Sequence, residues 1–360
     1  MNASKTKIAI ISYSLGGGGA ERFGGLLSCI LNDLGYEIHN IIITEKVDYD
    51  YCGILYNLGE ICKNETFLTG KIKKGILLKR YLQNQKIDII IDNRSRNVFL
   101  REWFTKWIYG KRKTFYVIHS YNLKNYLPDS VFLAKLLYKK AEKLICVSKA
   151  IEAKVKEKYN FKNTIAIYNP IDLTQIKTQN TIEVPEKFIL FYGRLEEKVK
   201  NFSLMLEAFS ISKIYEKGYK LLIMGNGPDA DFIQKTIAKF NLDDAVKIIP
   251  FQNNPFGYVK KARFTVLTSH YEGFPMSIIE SLAWGTPVVS VNCNSGPAEI
   301  IVNEQNGLLV ENYNSNALAN AMIRLAEDDN LYHICKENAS KSVEYLSLEN
   351  ISKQWQQILA

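Results

Sequence analysis

The sequence predicts an α/β protein of two Rossmann-like βα domains facing across a cleft. Three observations carry that expectation. Short apolar runs alternate with helical segments, as in a parallel sheet covered by helices. The alternation occurs twice along the 360 residues. Each run ends in a turn-rich segment, where open α/β sheets bind ligands.

The first series spans residues 1–170. IAIISYS reads as a strand, followed by a glycine loop and a helix from about Ala20 to Leu34. In that helix Phe23, Leu27, Ile30, Leu31 and Leu34 recur at helical spacing. EIHNIIIT, IDIIID, TFYVIH and KLICVS are further strands, each β-branched or aromatic-rich. A break falls near Tyr168-Asn-Pro-Ile-Asp172 and the polar TQIKTQNTIEVPEK after it. The second series spans residues 171–340. Its strands are FILFYGR, KLLIMG, VKIIPF, FTVLTS and TPVVSV; its helices are NFSLMLEAFSISKIY, DADFIQKTIAKF and MSIIESLAW. Residues 341–360 finish in the amphipathic LENISKQWQQILA, a closing helix whose candidate dock is the first domain.

At 47% hydrophobic and 23% charged, the chain reads as an ordinary globular protein. No apolar run approaches the ~20 residues that span a bilayer, and the opening run lacks a signal-peptide cleavage site. The six cysteines are scattered, without a Cys-x-x-Cys pair or zinc spacing. Most lie in apolar stretches, so buried free thiols and a reducing, cytoplasmic setting are expected.

The net charge of +9 is unevenly spread. Residues 1–180 hold 29 Lys+Arg against 16 Asp+Glu, whereas residues 181–360 hold 17 against 21. The excess concentrates between Gly70 and Lys113, with 13 basic and 3 acidic residues. Aromatic residues interleave there. Lys73, Lys74, Arg101, Trp103, Lys106 and Trp107 are therefore candidate contacts to an anionic partner: membrane headgroups, nucleic acid or a charged acceptor. A well-solvated helical face is the plainer explanation.

Glu272-Gly-Phe-Pro-Met-Ser-Ile-Ile-Glu280 is the most informative segment. Pro275 suits the first turn of a helix. The N–H groups of Met276, Ser277 and Ile278 then lack partners inside the helix, which makes the helix start a phosphate site. Glu280 lies one turn on, and Glu272 sits on the preceding loop. An anion site flanked by two carboxylates suits a nucleotide-sugar, whose ribose and sugar hydroxyls donate to the carboxylates. Two solvated glutamates would be the bland alternative.

Three further constellations matter. Gly16–Gly19 is a strand-to-helix glycine loop; Glu21 and Arg22 stand where a dinucleotide fingerprint needs glycine, and no Gly-Lys-Ser/Thr follows. Gly193-Arg194-Leu-Glu-Glu-Lys-Val-Lys-Asn201 brings Arg194 and a lysine toward one point, able to hold diphosphate oxygens; a surface loop paired with Glu196 and Glu197 would also explain it. His119 ends a strand, where ligands bind, although a structural histidine is equally compatible. Asp48-Tyr-Asp50 and Asp229-Ala-Asp231 are assigned no metal; Asp229 is expected to cap a helix.

In order along the chain, GGGGAER, CVSKAI, YNPID, YGRL with Lys200-Asn201, MGNGP, PFQNNPF, EGFPMSIIE, SGPAEII and NGLLV resemble the signatures of the family 4 retaining glycosyltransferases of the GT-B fold class (group 1 glycosyltransferases). The resemblance covers nearly the whole chain and is strongest from Tyr168 to Val310. It implies a nucleotide-diphosphate sugar, UDP-sugar by default, held mainly by the second domain. It implies that Glu272 binds the sugar hydroxyls, that Phe274, Pro275 and Met276 line the sugar and diphosphate, and that Glu280 holds the ribose. Arg194 and Lys200 would hold the diphosphate, Gly18 and Gly19 would close over it, and His119 would sit by the reacting centre. No metal and no other cofactor are implied. Two positions depart from the pattern. Lys198 and Lys200 straddle the usual site of the clamp lysine, which is Val199; Lys200 is preferred because Asn201 and a helix follow it. Pro250 replaces a usual glycine before the base-binding loop.

The expected activity moves a hexose or N-acetylhexosamine, with retention, to a growing surface glycan or lipid-linked acceptor. The β-phosphate would take the acceptor's proton, and the protein would act by alignment and charge. No nucleic-acid partner is expected. The setting would be cytoplasmic, with peripheral attachment to the inner face of the plasma membrane. A glycoside phosphorylase of similar fold and a non-catalytic polyanion-binding protein are the alternatives; a Rossmann oxidoreductase is weakened by the missing fingerprint.

Overall fold

The computed structural model describes residues 5–173 and 183–360. The chain divides into two compact units, one of Met1–Pro170 with Leu348–Ala360, the other of Ile171–Ser347. The polar stretch that marks the break in the sequence lies largely outside the described residues. Among the described residues no helix is long and apolar enough to cross a membrane.

The first unit is a seven-stranded parallel sheet: β1 (Lys7–Ser12), β2 (Glu37–Ile42), β3 (Ile54–Asn57), β4 (Ile89–Asp92), β5 (Lys113–Ile118), β6 (Lys143–Cys146) and β7 (Thr164–Ala166), in the order β3-β2-β1-β4-β5-β6-β7. Central β1 pairs on both sides, Ile10 facing Asn40 and Ile91. All of β4 is buried, as strands covered on both faces must be, which is why they read as unbroken apolar runs. The order reverses between β1 and β4, so the carboxyl ends of these two strands frame the place where such sheets bind ligands. Helix Gly19–Asp33 buries Phe23 and Leu27 on the sheet. The final helix, Leu348–Leu359, packs with it and buries Trp355 beside Phe23.

The second unit is a six-stranded parallel sheet: β8 (Phe188–Tyr192), β9 (Lys220–Met224), β10 (Val246–Ile249), β11 (Phe264–Leu267), β12 (Val288–Asn292) and β13 (Gly307–Glu311), in the order β10-β9-β8-β11-β12-β13. Here the reversal falls between β8 and β11.

Several expectations change. Strands β3, β7 and β13 have no counterpart in the periodicity, because each is a short edge or near-edge strand. The helix beginning at Phe202 stops at Ser212, where Lys213 takes a left-handed φ of 52°; a 3-10 turn replaces its expected last residues. The closing helix begins at Leu348, and residues 341–347 belong to the second unit. Cys29 and Cys52 form a disulfide, against the expectation of free thiols throughout. Their separation of 23 residues carries no spacing signal; the fold brings helix Gly19–Asp33 to the Cys52 loop, where Ser28 Oγ accepts the Cys52 N–H at 2.8 Å. Cys62, Cys146, Cys293 and Cys335 are free and buried.

Candidate active site

The reversal point of the second sheet collects the segments that the sequence marks. Beyond β8 the chain runs through Gly193 and Arg194, and beyond β11 through Thr268, Ser269 and Glu272. The turn after β9 seals the first of these from below. A Cβ on Gly225 would stand 1.8 Å from the Gly193 carbonyl oxygen, and one on Gly227 2.1 Å from that of Leu195. Only glycine lets two backbones approach this closely, which gives MGNGP its physical reason.

The Arg194 side chain is 66% exposed, with Nε 3.2 Å from a Glu196 carboxylate oxygen. A short helix, Glu197–Lys200, follows and ends at Asn201, whose φ of 54° is left-handed. Asn201 caps the next helix by accepting the Leu204 N–H. Glu197, a partner of the basic residues only in the surface-loop alternative, accepts the Phe202 N–H at 2.6 Å and the Ser203 hydroxyl at 2.7 Å. Asp229 makes no side-chain cap on its own helix; its carboxylate accepts the Glu197 N–H at 2.7 Å. These acids therefore anchor the loop that carries the lysine.

Lys200 Nζ lies 2.7 Å from Glu272 Oε1. Ser269 Oγ donates to the same oxygen at 2.6 Å. The side chains of Lys200 and Glu272 are only 16% and 12% exposed. Thr268 Oγ1 donates to the Lys200 carbonyl at 2.8 Å, and the His270 N–H to that of Val199 at 2.9 Å, so β11 fixes the lysine's backbone. Lys198 is exposed.

The Gly273-Phe-Pro275 turn is braced from the loop beyond β12. The Glu272 N–H donates to the Asn294 carbonyl, and Ser295 Oγ to that of Gly273, both at 2.8 Å. Gly296 has a φ of 100°, and a Cβ there would meet Pro275 Cδ at 2.5 Å. Helix Met276–Ala283 then starts. The Ile278 N–H is taken by the Pro275 carbonyl at 3.2 Å, so the open end of the helix is narrower than the three free donors expected from sequence. Phe274, Met276 and Glu280 are 4%, 8% and 3% exposed. This segment consequently offers a ligand chiefly its backbone, with the Glu280 carboxylate embedded behind it. Tyr192 Oη donates to the Ser277 carbonyl at 2.7 Å and ties the helix to β8.

In the first unit, Gly16 and Gly17 form the turn after β1: a Cβ on Gly16 would meet the Asp48 carboxylate, and Gly17 has a φ of 96°. Gly18 and Gly19 sit at the start of the helix. His119 follows β5, its ring 4.9 Å from that of Phe23. Its Nε2 meets Asn93 Oδ1. Asn93 Nδ2 donates to the Ala20 carbonyl at 2.8 Å and to Ser12 Oγ at 3.2 Å. The amide orientation leaves Oδ1 to accept, so Nε2 carries the proton of a neutral imidazole. Burial, then the positive charge of Arg96, pushes the His119 pKa down to about 3.

Beneath this lies a buried polar cluster that the sequence does not announce. Arg94 grips Asp92 through Nε at 3.0 Å and Nη2 at 2.7 Å, and Tyr109 Oη donates to the same carboxylate at 2.8 Å. Fully buried Arg96 donates to the carbonyls of Asp92, Arg94 and Val117. Burial alone would raise the Asp92 pKa, but Arg94 and Arg96 outweigh it and hold the carboxyl below its ordinary value. The cluster folds the loop that presents Asn93.

Among the surface candidates, Lys73 pairs with Glu65 at 2.6 Å, Arg101 with Glu102 at 2.9 Å, and Lys74 and Lys106 donate to the Ile43 and Leu136 carbonyls. Trp103 and Trp107 are each 57% exposed.

A family model described as "Glycosyl transferases group 1" matches residues 172–342. An N-acetylgalactosamine-N,N'-diacetylbacillosaminyl-diphospho-undecaprenol 4-alpha-N-acetylgalactosaminyltransferase of Campylobacter jejuni is 33% identical over 347 residues, 92% of this chain and 93% of its own. The chain belongs to the group 1 glycosyltransferases. Another relative, the lipopolysaccharide 1,6-galactosyltransferase of Escherichia coli, is 31% identical over 46% of this chain and 47% of its own. Among solved structures, S. aureus TarM superposes with a TM-score of 0.81 at 17% identity, over 99% of each chain. Anabaena HepE in complex with UDP-glucose superposes at 0.76 and 17% identity, over 98% and 99%. These likenesses give this glycosyltransferase the GT-B fold class, with its two parallel-sheet units.

The family signatures point to Glu272, Arg194 and Lys200, of which the structure brings Lys200 and Glu272 together. They do not point to Thr268, Ser269 and Asn93, which hold Lys200, Glu272 and His119 respectively. All three are polar residues directly after a strand of the reversal point, the one signal that marks them.

Proposed function

We propose that this glycosyltransferase uses a nucleotide-diphosphate sugar and transfers its sugar with retention of configuration. The observation that carries the proposal is the Lys200–Glu272 pair beside the start of helix Met276–Ala283. A cation and a helix start suit the diphosphate, and the largely shielded Glu272 carboxylate suits sugar hydroxyls. Arg194, exposed on a fixed loop, is the further cation. Glu280 is assigned the ribose, Gly18 and Gly19 the diphosphate, and His119 the sugar. On this reading Arg194, Lys200 and the helix start stabilise the departing diphosphate instead of a metal, and the β-phosphate takes the acceptor's proton.

UDP is the proposed nucleotide, in keeping with the UDP and UDP-glucose in TarM and HepE complexes. The Campylobacter relative's name specifies a diphospho-undecaprenol-linked saccharide and N-acetylgalactosamine. A UDP-N-acetylhexosamine donor and a lipid-linked diphospho-saccharide acceptor are accordingly proposed here, acting at the cytoplasmic face of the plasma membrane in surface-glycan synthesis.

A thermal-shift screen of nucleotide-sugars tests the donor. Protection by a UDP-sugar, weakened in Glu280→Ala, is the expected result. Equal protection of wild type and variant, or protection by no nucleotide-sugar, overturns the assignment.

A further inference from the structure

Helix Phe99–Tyr109 buries Ile108 and Tyr109 but turns a second apolar stripe outward. Its Leu100, Trp103, Phe104 and Trp107 recur at the spacing of one helical stripe, and that stripe faces solvent at 72%, 57%, 53% and 57% exposure. The opposite face carries Glu102 and Thr105 inward at 3% and 6% exposure. An amphipathic helix of a globular domain normally turns its apolar stripe to the core. Here only Ile108 and Tyr109 bring buried apolar surface to the core; the rest of the inward face is polar, with Glu102 3.5 Å from buried Arg94 and bound to Arg101. The aromatic stripe is therefore left outside by construction.

The two neighbouring helices extend the same surface. Helix Phe67–Asn84 exposes Ile72 and Ile76, one turn apart. Its Gly75 admits Phe104, for a Cβ there would stand 3.3 Å from the Phe104 ring. On the other side, helix Val131–Tyr138 exposes Phe132 and Leu136 at 74% and 50%, and Lys106 Nζ joins it by donating to the Leu136 carbonyl at 2.6 Å. Cations are interleaved with the rings rather than kept apart. Lys79 Nζ sits 3.3 Å from the centroid of the Trp107 ring, and Lys71 Nζ 3.5 Å from that of Phe67.

The charge balance of this surface is sharper than the sequence suggests. Of the 13 basic and 3 acidic residues between Gly70 and Lys113, Arg94, Arg96, Asp92 and Glu102 are buried together. What remains outside is basic except for Asp88.

We propose that the outward face of these three helices is a docking surface for an anionic lipid bilayer. A protein–protein interface concentrates apolar residues in a core depleted of lysine. This face instead mixes tryptophan with lysine. Such amphipathic side chains settle at a membrane–water boundary, rings at headgroup depth and ammonium groups against lipid phosphate. The bilayer is the occupant whose charge complements it. The proposal rests on the membrane-face placement proposed above and names the surface that serves it; vesicle binding is read without the donor, and donor protection serves only as a control.

The test is co-sedimentation of the full chain with phosphatidylcholine vesicles, with and without phosphatidylglycerol. Wild type, Trp103→Ser/Trp107→Ser and Lys71→Gln/Lys79→Gln are compared. These side chains are exposed or partly exposed, and circular dichroism with UDP-sugar thermal protection reports whether fold and donor site survive. Wild type binds the anionic vesicles, and raised salt releases it. The lysine variant binds about fivefold or more weakly for each cation that reaches the surface, and the tryptophan variant loses binding at least as much. Equal binding by all three proteins, or equal binding to neutral and anionic vesicles, overturns the proposal. So does vesicle-independent self-association that the tryptophan variant abolishes, which would give the face to a second copy of the chain. Intact donor protection in a wild-type protein that fails to bind anionic vesicles would sink this proposal while leaving the transferase reading standing.

Discussion

Lys200 Nζ lies 2.7 Å from Glu272 Oε1, while Lys198, two residues earlier on the same short helix, is exposed. The difference arises from β11, because Thr268 holds the Lys200 backbone and Ser269 shares the Glu272 oxygen.

That geometry separates the two lysines experimentally. Lys200→Ala is expected to lower turnover by about 10²–10³, the loss typical of one preorganised donor at a developing anion. Arg194→Ala should fall in the same range. Lys198→Ala should change turnover by no more than about twofold, as ordinary surface substitutions do. Steady-state kinetics with a UDP-sugar decides the matter. A larger loss in Lys198→Ala than in Lys200→Ala would reverse the assignment.

The loop carrying Arg194 depends on backbone contact with the turn after β9. A methyl at Gly225 would be driven into the Gly193 carbonyl at 1.8 Å, and neither backbone has a flexible side chain to yield. Gly225→Ala should cost about 1–3 kcal/mol of stability, the range for overpacking, and should weaken nucleotide protection by displacing Arg194. Chemical denaturation and thermal shift measure the two effects. An unchanged stability would show that the turn relaxes without cost.

Asp92 is buried between two arginines and a tyrosine, so removing its charge strands both guanidinium groups. Breaking a buried ion pair in this way costs about 3–5 kcal/mol. Asp92→Asn should lose that much in chemical denaturation, and Tyr109→Phe, which deletes the hydrogen bond donated to Asp92 and the one accepted from Arg94, about 1–3 kcal/mol. The ordering is the test: an Asp92→Asn protein as stable as Tyr109→Phe would mean that the arginines find other partners.

Strands β1, β2, β4, β5, β6, β8, β9, β11 and β12 are legible because interior strands of a covered sheet read as apolar runs; β10, an edge strand, is legible only because Val246, Ile248 and Ile249 are β-branched. β3, β7 and β13 are not, since an edge strand of three to five residues needs no such run. Arg194, Lys200, Glu272 and Glu280 stand out in the sequence only through ordered motifs; spacing alone would leave them as solvated charges. In the sequence the Asp92–Arg94–Arg96 cluster reads as part of a basic surface, because nothing in it shows that charges two and four positions apart turn inward together. The Cys29–Cys52 pair was missed for a related reason: its partners meet only once helix Gly19–Asp33 lies against the Cys52 loop.

His119 gives the last prediction. Its folded pKa, pushed down to about 3, lies below the unfolded value of about 6.5. The unfolded chain therefore binds the extra proton first. The stability contributed by neutral His119 is fully present above pH 6.5 and is lost as the pH falls from there toward 3. Urea unfolding should show wild type losing stability faster than His119→Asn between pH 6.5 and 4, by at most about 1.4 kcal/mol per pH unit for the one proton. Asn93→Ala removes the acceptor that fixes the Nε2–H tautomer; it should lower kcat while leaving nucleotide affinity unchanged, and Asn93→Gln should not restore the geometry held by Ala20 and Ser12. A neutral imidazole at working pH also means that His119 contributes no inflection to the pH–rate profile near 6.5. An inflection there that disappears in His119→Asn would show that the ring titrates during turnover, and the role of a neutral hydrogen-bonding group would have to be given up.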